Sequence, residues 1–354
     1  MLEKIWTQLR QGVIDVVNVI VRTLSYNAIR FIMEIEFMEG VIAMMPLSIF
    51  GFRALWSPWF LLIIILGIAL YLFLATKMRH RFEGTESLTR KQLVAFLLSM
   101  VLLYIVKGSP VDLLGHILFT MHMVQMALLL LLVAPLLIIG IPNWMWKKVF
   151  DVKLLANLIS TFTKPIISII LFVGMFSIYH IPIILDNVKL SAPLHTAFTI
   201  TLFLAAMLFW WPVMNTLKGQ PQLHGLKKIG YIILSAILIT PACSLIIFVD
   251  VPVYETYQSG ESWLKAMALC VPAGTLAGLS GLGLSGPEMF TNMATLTDQQ
   301  LGGILMKVIQ EIIYVVVLGS IFIKWYKEEQ DNAEEITKKA LSDLEQQRLA
   351  MQQH

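Results

Sequence analysis

The chain has 354 residues, of which 57% are hydrophobic and only 14% are charged, and its mean hydropathy is +0.76. A soluble domain carries roughly 25% charged residues, so the composition excludes a soluble domain and predicts a membrane protein. The net charge of +3 is too small to indicate a nucleic-acid partner, and the two cysteines provide no disulfide framework.

The first 44 residues differ from the rest of the chain. Their apolar residues form a partial helical stripe, which Arg10, Arg22, Asn27 and Arg30 interrupt. We therefore predict that residues 1–44 form an amphipathic helix on the membrane surface rather than a span. Met45 would also make a sensible start, so we expect this extension to be peripheral.

Seven apolar segments follow, and each predicts a membrane span. They cover about Trp56–Thr76, Gln92–Val106, Leu113–Ile141, Ile166–Tyr179, Pro193–Trp211, Ile229–Val249 and Leu301–Ile323. An eighth candidate, Leu264–Leu284, is rich in glycine and contains Pro272, so we expect a re-entrant or outward loop there. The predicted fold is thus an all-α polytopic membrane protein, with a seven-transmembrane-helix bundle over residues 45–326.

Basic residues predict the orientation of this bundle. Lysine and arginine cluster after the first, third and fifth spans and in the tail. The opposite loops and the approach to the first span hold only Arg53, Lys107, Lys189 and Lys265. By the positive-inside rule, the clustered side is cytoplasmic and the amino end of the first span lies outside. Residues 327–354 predict a charged cytoplasmic helix, either solvated on the inner surface or docked to a partner.

The third predicted span contains an unusual set of polar and sulfur-bearing residues. Ser109–Pro110 predicts a helix start, with a capping hydroxyl followed by proline at the first helical position. At about 100° per residue, His116, Met123, Met126 and His122 fall in that order within one arc of about 120°, on the same side of a transmembrane helix. Titratable side chains are costly in lipid, so they usually face a bundle interior and often mark a functional site.

Two further histidines are predicted at the same membrane face. His180 closes the fourth helix, because Pro182 discourages its continuation, and His195 lies in the first turn of the fifth. Copper(I) accepts imidazole, thioether and thiolate ligands. We therefore predict an outer-leaflet copper site with three leading ligands and three auxiliary ones. The leading ligands are His116, His122 and His195, and the auxiliaries are His180, Met123 and Met126.

Two other interpretations of the four histidines remain open. Two of them could be the axial ligands of a haem on facing helices. Alternatively, all four could be buried hydrogen-bonding groups in a structural scaffold.

The remaining intramembrane polar residues are few. Cys243 could add a soft donor to the metal site, and Asp298, beside Gln299, is either a helix cap or a functional carboxylate. Lys307 and Glu311 lie one turn apart and can neutralise each other, as a structural pair or as a proton or ion relay. No nucleophile elbow, zinc-protease pair or cysteine cluster occurs in the sequence, so we predict that the protein is not an enzyme.

Several long motifs carry a family resemblance. The chain contains, in this order, FGFRALWSPWF (Phe50–Phe60), KGSPVDLLGHILFTMHMVQMALL (Lys107–Leu129), FSIYHIP (Phe176–Pro182), LHTAF (Leu194–Phe198), FWWPV (Phe209–Val213), TPACSLIIF (Thr240–Phe248), GPEMF (Gly286–Phe290) and DQQLGGILMKVIQEIIY (Asp298–Tyr314). Together they resemble the CtaG family of cytochrome c oxidase assembly factors, associated with caa3-type oxidase in Gram-positive bacteria. The resemblance covers about Phe50–Tyr326.

The resemblance implies a multi-pass protein of the bacterial plasma membrane that helps to build the oxidase without being one of its subunits. It also implies a part in loading the oxidase with copper, so the expected partners are oxidase subunits and the lipid bilayer. The four histidines stand at positions that match the family's pattern.

Overall fold

The computed structural model describes residues 47–81, 85–217, 219–258, 260–268, 271 and 286–352. Within these residues the chain forms helices and no strands, which confirms the all-α prediction. The α-helices are α1 (Gly51–Leu55), α2 (Pro58–Leu72), α3 (Arg90–Gly108), α4 (Pro110–Ile117), α5 (Phe119–Leu128), α6 (Ala134–Gly140), α7 (Asn143–Phe150), α8 (Lys153–Phe162), α9 (Pro165–Tyr179), α10 (Pro182–Lys189), α11 (Ala192–Met214), α12 (Leu226–Ile247), α13 (Glu261–Met267) and α14 (Thr295–Gln352). The predicted amphipathic helix over residues 1–44 and most of the predicted glycine-rich loop lie outside the described residues.

Six helical stretches in the described part of the chain are long and apolar enough to cross a membrane. They are Leu47–Met78, Arg90–Gly108, Phe119–Gly140, Ala192–Met214, Leu226–Ile247 and Thr295–Ser342. The predicted fourth span corresponds to α9, which is bent by 81° relative to α8, and the two helices together qualify as one further span. The fold therefore has six to seven candidate spans, a range that includes the predicted seven.

The helices present apolar side chains outward as well as inward. Most of the large apolar side chains of α2 are exposed: Leu61, Leu62, Ile63, Ile65, Leu66 and Leu70. Soluble proteins rarely expose contiguous apolar surface of this kind. Such a surface is suited to contact with lipid chains, in agreement with the hydropathy of the span.

Hydrogen-bonding aromatic side chains join the helices in the interior. The Tyr231 hydroxyl of α12 donates to the carbonyl of Phe209 on α11 at 2.7 Å and lies 2.9 Å from the hydroxyl of Ser168 on α9. All three residues are buried. Because lipid supplies no hydrophobic force between helices, close packing and such interhelical bonds hold a membrane bundle together.

The predicted third span is interrupted rather than continuous. Ser109 and Pro110 begin α4 as predicted, with the Ser109 hydroxyl accepting from the amide of Val111. The helix then ends at Ile117, and Leu118 adopts an extended conformation (φ −119°, ψ 134°) before α5 begins at Phe119. The prediction that two histidines and two methionines lie on one arc assumed a single helix. It is therefore wrong, because the chain does not continue as one helix.

Pro135 opens the backbone further along the same span, as expected for a proline inside a helix. The π-helical stretch Leu129–Val133 ends just before α6, and Pro135 is the second residue of α6. The indole nitrogen of Trp210 donates to the carbonyl of Leu130 at 3.0 Å. A side chain of α11 thus binds a carbonyl group in the widened turn.

The charged tail continues the last span without a break. The helix α14 runs for 58 residues from Thr295 to Gln352, so the predicted boundary at residue 327 lies within one helix. Near that boundary, Lys324 and Glu328 form an ion pair at 3.8 Å.

Candidate functional site

The site begins at the interruption at Leu118. A side chain from another helix caps the helix that starts after it. Asp298, on α14, accepts hydrogen bonds from the backbone amides of Phe119 at 2.7 Å and Thr120 at 3.0 Å. The Thr120 hydroxyl donates in return to the Asp298 carbonyl at 2.7 Å. The first amides of a helix have no partner within that helix. Asp298 is therefore a helix cap, and the helix that it caps is α5.

Because of the interruption, the two histidines of this span lie on different helices. His116 lies in the last turn of α4 and His122 in the first turns of α5. His180 follows the last residue of α9, and His195 lies in the first turn of α11, both as predicted. The connection between α9 and α11 contains the short helix α10. All four imidazoles lie at the same end of the bundle.

His122 and His180 form the first imidazole pair, called here the buried pair. Their ring centroids lie 6.0 Å apart, and the two side chains are 1% and 5% exposed. Nδ1 of His180 lies 2.8 Å from the carbonyl oxygen of Phe176. An Nδ1–H bonded to a carbonyl leaves the lone pair on Nε2, an arrangement that commonly orients a metal-binding histidine.

One nitrogen on each ring of this pair is chemically available. Among the residues that the structure describes, Nε2 of His122 and Nε2 of His180 are buried without a hydrogen-bond partner. Buried polar atoms nearly always have a partner, so each exception calls for an explanation. Burial also lowers the pKa of His180 to about 4, which keeps its imidazole neutral and able to bind a metal ion at neutral pH.

His116 and His195 form the second pair, called here the edge pair. Their ring centroids are 5.1 Å apart and their planes are inclined by 67°. His116 is buried, whereas His195 is partly exposed. Nδ1 of His116 also lacks a hydrogen-bond partner within the described part of the chain. The sequence predicted His180 as an auxiliary to the other three histidines, but the structure pairs it directly with His122.

The spacing of both pairs suits a metal ion between two nitrogens. Two imidazoles that bind one ion at about 2.0 Å each place their ring centroids at most about 6 Å apart. No group of three or more histidine, cysteine or carboxylate side chains that could hold one ion occurs in the described part of the chain. The geometry therefore offers two-nitrogen sites, and Cu(I) accepts imidazole ligands.

Aromatic side chains enclose the buried pair. The rings of Phe119, Tyr179 and Tyr257 have their centroids 6.0, 5.8 and 6.1 Å from that of His122. A porphyrin inserted between His122 and His180 would have to displace these side chains. The packing thus favours a small ion over a haem.

A buried lysine and a tyrosine brace the site, and the sequence analysis missed both. Lys189, at the end of α10, is 2% exposed. Its ammonium donates to the carbonyl of Gly115 at 3.0 Å and to the hydroxyl of Tyr257. The Tyr257 hydroxyl in turn donates to the same carbonyl at 2.9 Å. Burial raises the pKa of Tyr257 well above its usual value, so its hydroxyl remains a donor. These bonds hold the backbone immediately before His116.

The predicted sulfur ligands lie in the hydrophobic core. Met123 and Met126 are buried in the main apolar cluster with Cys243. Cγ of Met123 lies 3.2 Å from the position that a Cβ on Gly302 would occupy, so this side chain packs closely against α14. Packing therefore accounts for the burial of Met123.

The other predicted polar residues join helices. Gln299 accepts from the amide of Val253 at 2.8 Å and donates to the carbonyl of Ile246 at 3.3 Å, which fixes the end of α12 against α14. Lys307 and Glu311 form an ion pair at 3.1 Å. Lys307 also donates to the hydroxyl of Thr240 on α12 at 3.2 Å. These contacts connect α14 to α12.

Comparison with known proteins adds one finding. The family model of the cytochrome c oxidase caa3 assembly factor (Caa3_CtaG) matches residues 69–328. The match includes all four histidines and Asp298, but the motif Phe50–Phe60 precedes it. No curated protein and no solved structure matches the chain.

Proposed function

The chain belongs to the family of cytochrome c oxidase caa3 assembly factors, and from this premise we propose that it holds Cu(I) between histidine pairs and transfers it to an oxidase subunit during assembly. The oxidase and the lipid bilayer are its partners. Copper is the cargo of this process rather than a resident cofactor. The protein acts as a carrier, without catalysing a reaction of its own.

The observation that carries this proposal is the buried pair. Two imidazole nitrogens without hydrogen-bond partners lie on neighbouring rings with centroids 6.0 Å apart. A copper ion between them would satisfy both nitrogens, and the backbone bond of His180 fixes the orientation of one ring. A site with two ligands also leaves room for a third, so an incoming ligand can bind before an imidazole departs.

The edge pair gives copper a route between the buried pair and the surface. His195 is the one histidine of the four that is partly exposed. We assign the edge pair to exchange with the oxidase subunit and the buried pair to retention. By the positive-inside rule, this end of the bundle faces the outside of the plasma membrane. Met123 and Met126 remain auxiliary ligands in this proposal.

Copper binding by variants of the buried pair tests the proposal. We expect the purified protein to bind copper under reducing conditions, and His122→Gln and His180→Gln each to lower its affinity by at least tenfold. His224→Gln is the matched control, because this histidine lines a cavity at the other end of the bundle. Thermal unfolding without copper checks that each variant is folded.

The copper content and assembly of the oxidase, measured in cells that produce the same variants, separate the remaining alternatives. A carrier predicts an oxidase deficient in copper for both variants of the buried pair. Normal copper loading with folded His122→Gln and His180→Gln proteins would reject the carrier and leave an assembly scaffold. A Soret band from the purified protein would instead favour haem.

A further inference from the structure

A second candidate site lies at the end of the bundle opposite the histidines. A cavity of about 210 Å³ separates the end of α11 and the start of α12 from α14. From His195 to Met214, α11 extends about 30 Å at ~1.5 Å per residue, so this cavity is independent of the copper proposal.

Two lysines from different helices line the cavity. Lys228, on α12, donates to the carbonyl of Val213 at 2.7 Å, which fixes its ammonium at the wall. Lys324, on α14, lines the other side with Glu328, to which it is paired at 3.8 Å. Both members of that pair are mostly exposed, and exposed ion pairs contribute little. The lining thus provides ammonium groups that can bind an anion from two sides.

The start of α12 adds a further positive end to the cavity. Gly225 precedes α12 with φ +51°, and a Cβ at this position would lie 2.8 Å from Cδ1 of Trp325. Because Gly225 has no side chain, the indole of Trp325 can pack directly against the backbone there. Gly225 provides no side-chain cap for α12, and the amides of Lys227 and Lys228 donate to the carbonyls of His224 and Gly225 at 3.1 Å. The amino end of a helix favours negative charge, and here it lies beside both lysines.

Apolar side chains flank the cavity on the surface of the bundle. Leu226 and Ile323 directly adjoin lining residues in sequence and are 59% and 69% exposed. Trp325 also lines the cavity, and tryptophan is enriched at the membrane interface. A free anion would not need apolar surface beside its site, whereas a phospholipid has acyl chains attached to its phosphate.

We propose that this cavity binds the phosphate of an anionic phospholipid headgroup. Lys228 and Lys324 contact the phosphate, and the acyl chains lie along Leu226 and Ile323. Basic cavities between transmembrane helices on the cytoplasmic side are suited to such headgroups. A lipid bound here would hold α12 against α14.

Native mass spectrometry of the full-length protein in detergent tests this assignment. Phosphatidylglycerol is titrated against phosphatidylcholine, and each bound lipid is counted. We expect phosphatidylglycerol to bind more tightly, and the double variant Lys228→Gln/Lys324→Gln to weaken its binding by at least about tenfold. Glutamine at position 228 keeps a hydrogen-bond donor for the carbonyl of Val213. The single variant Lys324→Gln changes only an exposed side chain, and it should also weaken the binding of phosphatidylglycerol.

The control is the double variant Lys153→Gln/Lys327→Gln, which removes the same charge at the same end, outside the cavity lining. Equal loss of binding in both double variants would overturn the proposal, because it would indicate diffuse attraction to surface charge. Equal binding of phosphatidylcholine would also overturn it. Displacement of phosphatidylglycerol by equimolar inorganic phosphate would overturn the lipid assignment by identifying a site for free anions.

Discussion

Replacing Asp298 is expected to destabilise the interrupted third span. Its carboxylate accepts one hydrogen bond on each oxygen, from the amides of Phe119 and Thr120. Hydrogen bonds to charged groups contribute about 1.5–3 kcal/mol each. Asp298→Asn keeps one acceptor oxygen and places an amide group against the other N–H, so it should lower the free energy of unfolding by about 1.5–3 kcal/mol.

Asp298→Ala should have the larger effect, because it removes both acceptors and leaves two buried amides without them. We expect a loss of about 3–6 kcal/mol, twice the value for one bond. Unfolding by SDS in mixed micelles measures both variants. Asp331→Asn is the control, since this exposed aspartate lies on the same helix and should change stability by less than about 0.5 kcal/mol. Wild-type stability of Asp298→Asn would refute the capping argument.

Other contacts give three further predictions for the same unfolding measurement. Tyr257→Phe removes the hydroxyl that bonds two groups beside the histidines, and should lower stability by about 1–3 kcal/mol. Gly140→Ala would place a Cβ 2.6 Å from a backbone nitrogen of α3 and should cost about 1–3 kcal/mol, whereas Gly174→Ala meets nothing within 4 Å and should cost none. Trp210→Phe removes the donor to Leu130 and should cost about 1 kcal/mol, and stability equal to wild type would contradict that bond's role.

Local signals in the sequence were sufficient to predict several features of the site. Ser109–Pro110 predicted the start of α4, because capping and proline preferences depend on neighbouring residues only. Pro182 predicted the end of α9 beside His180 for the same reason. Hydropathy then identified the spans, and their alternating direction placed four histidines at one end of the bundle.

The interruption at Leu118 could not be predicted in this way. The segment from Ile117 to Phe119 contains no proline or glycine, so the local sequence favours a continuous helix. The groups that satisfy the broken backbone come from Asp298, 179 residues further along the chain. Lys189 was missed for a similar reason, because its burial depends on Gly115 and Tyr257 in distant segments.

The interruption also explains how two histidines of one span join two different pairs. On a continuous helix, His116 and His122 would lie about 9 Å apart along one axis at ~1.5 Å per residue, with their directions fixed relative to each other. Separate helices let His116 meet His195 while His122 meets His180.

Buried backbone amides need a hydrogen-bond partner, and leaving one unsatisfied costs about 1–3 kcal/mol. Asp298 meets this requirement, and it does so from α14, the helix that continues into the charged tail. A displacement of α14 would therefore act on the first turn of α5, where His122 lies. The same carboxylate thus stabilises the interruption and links the position of the buried pair to α14.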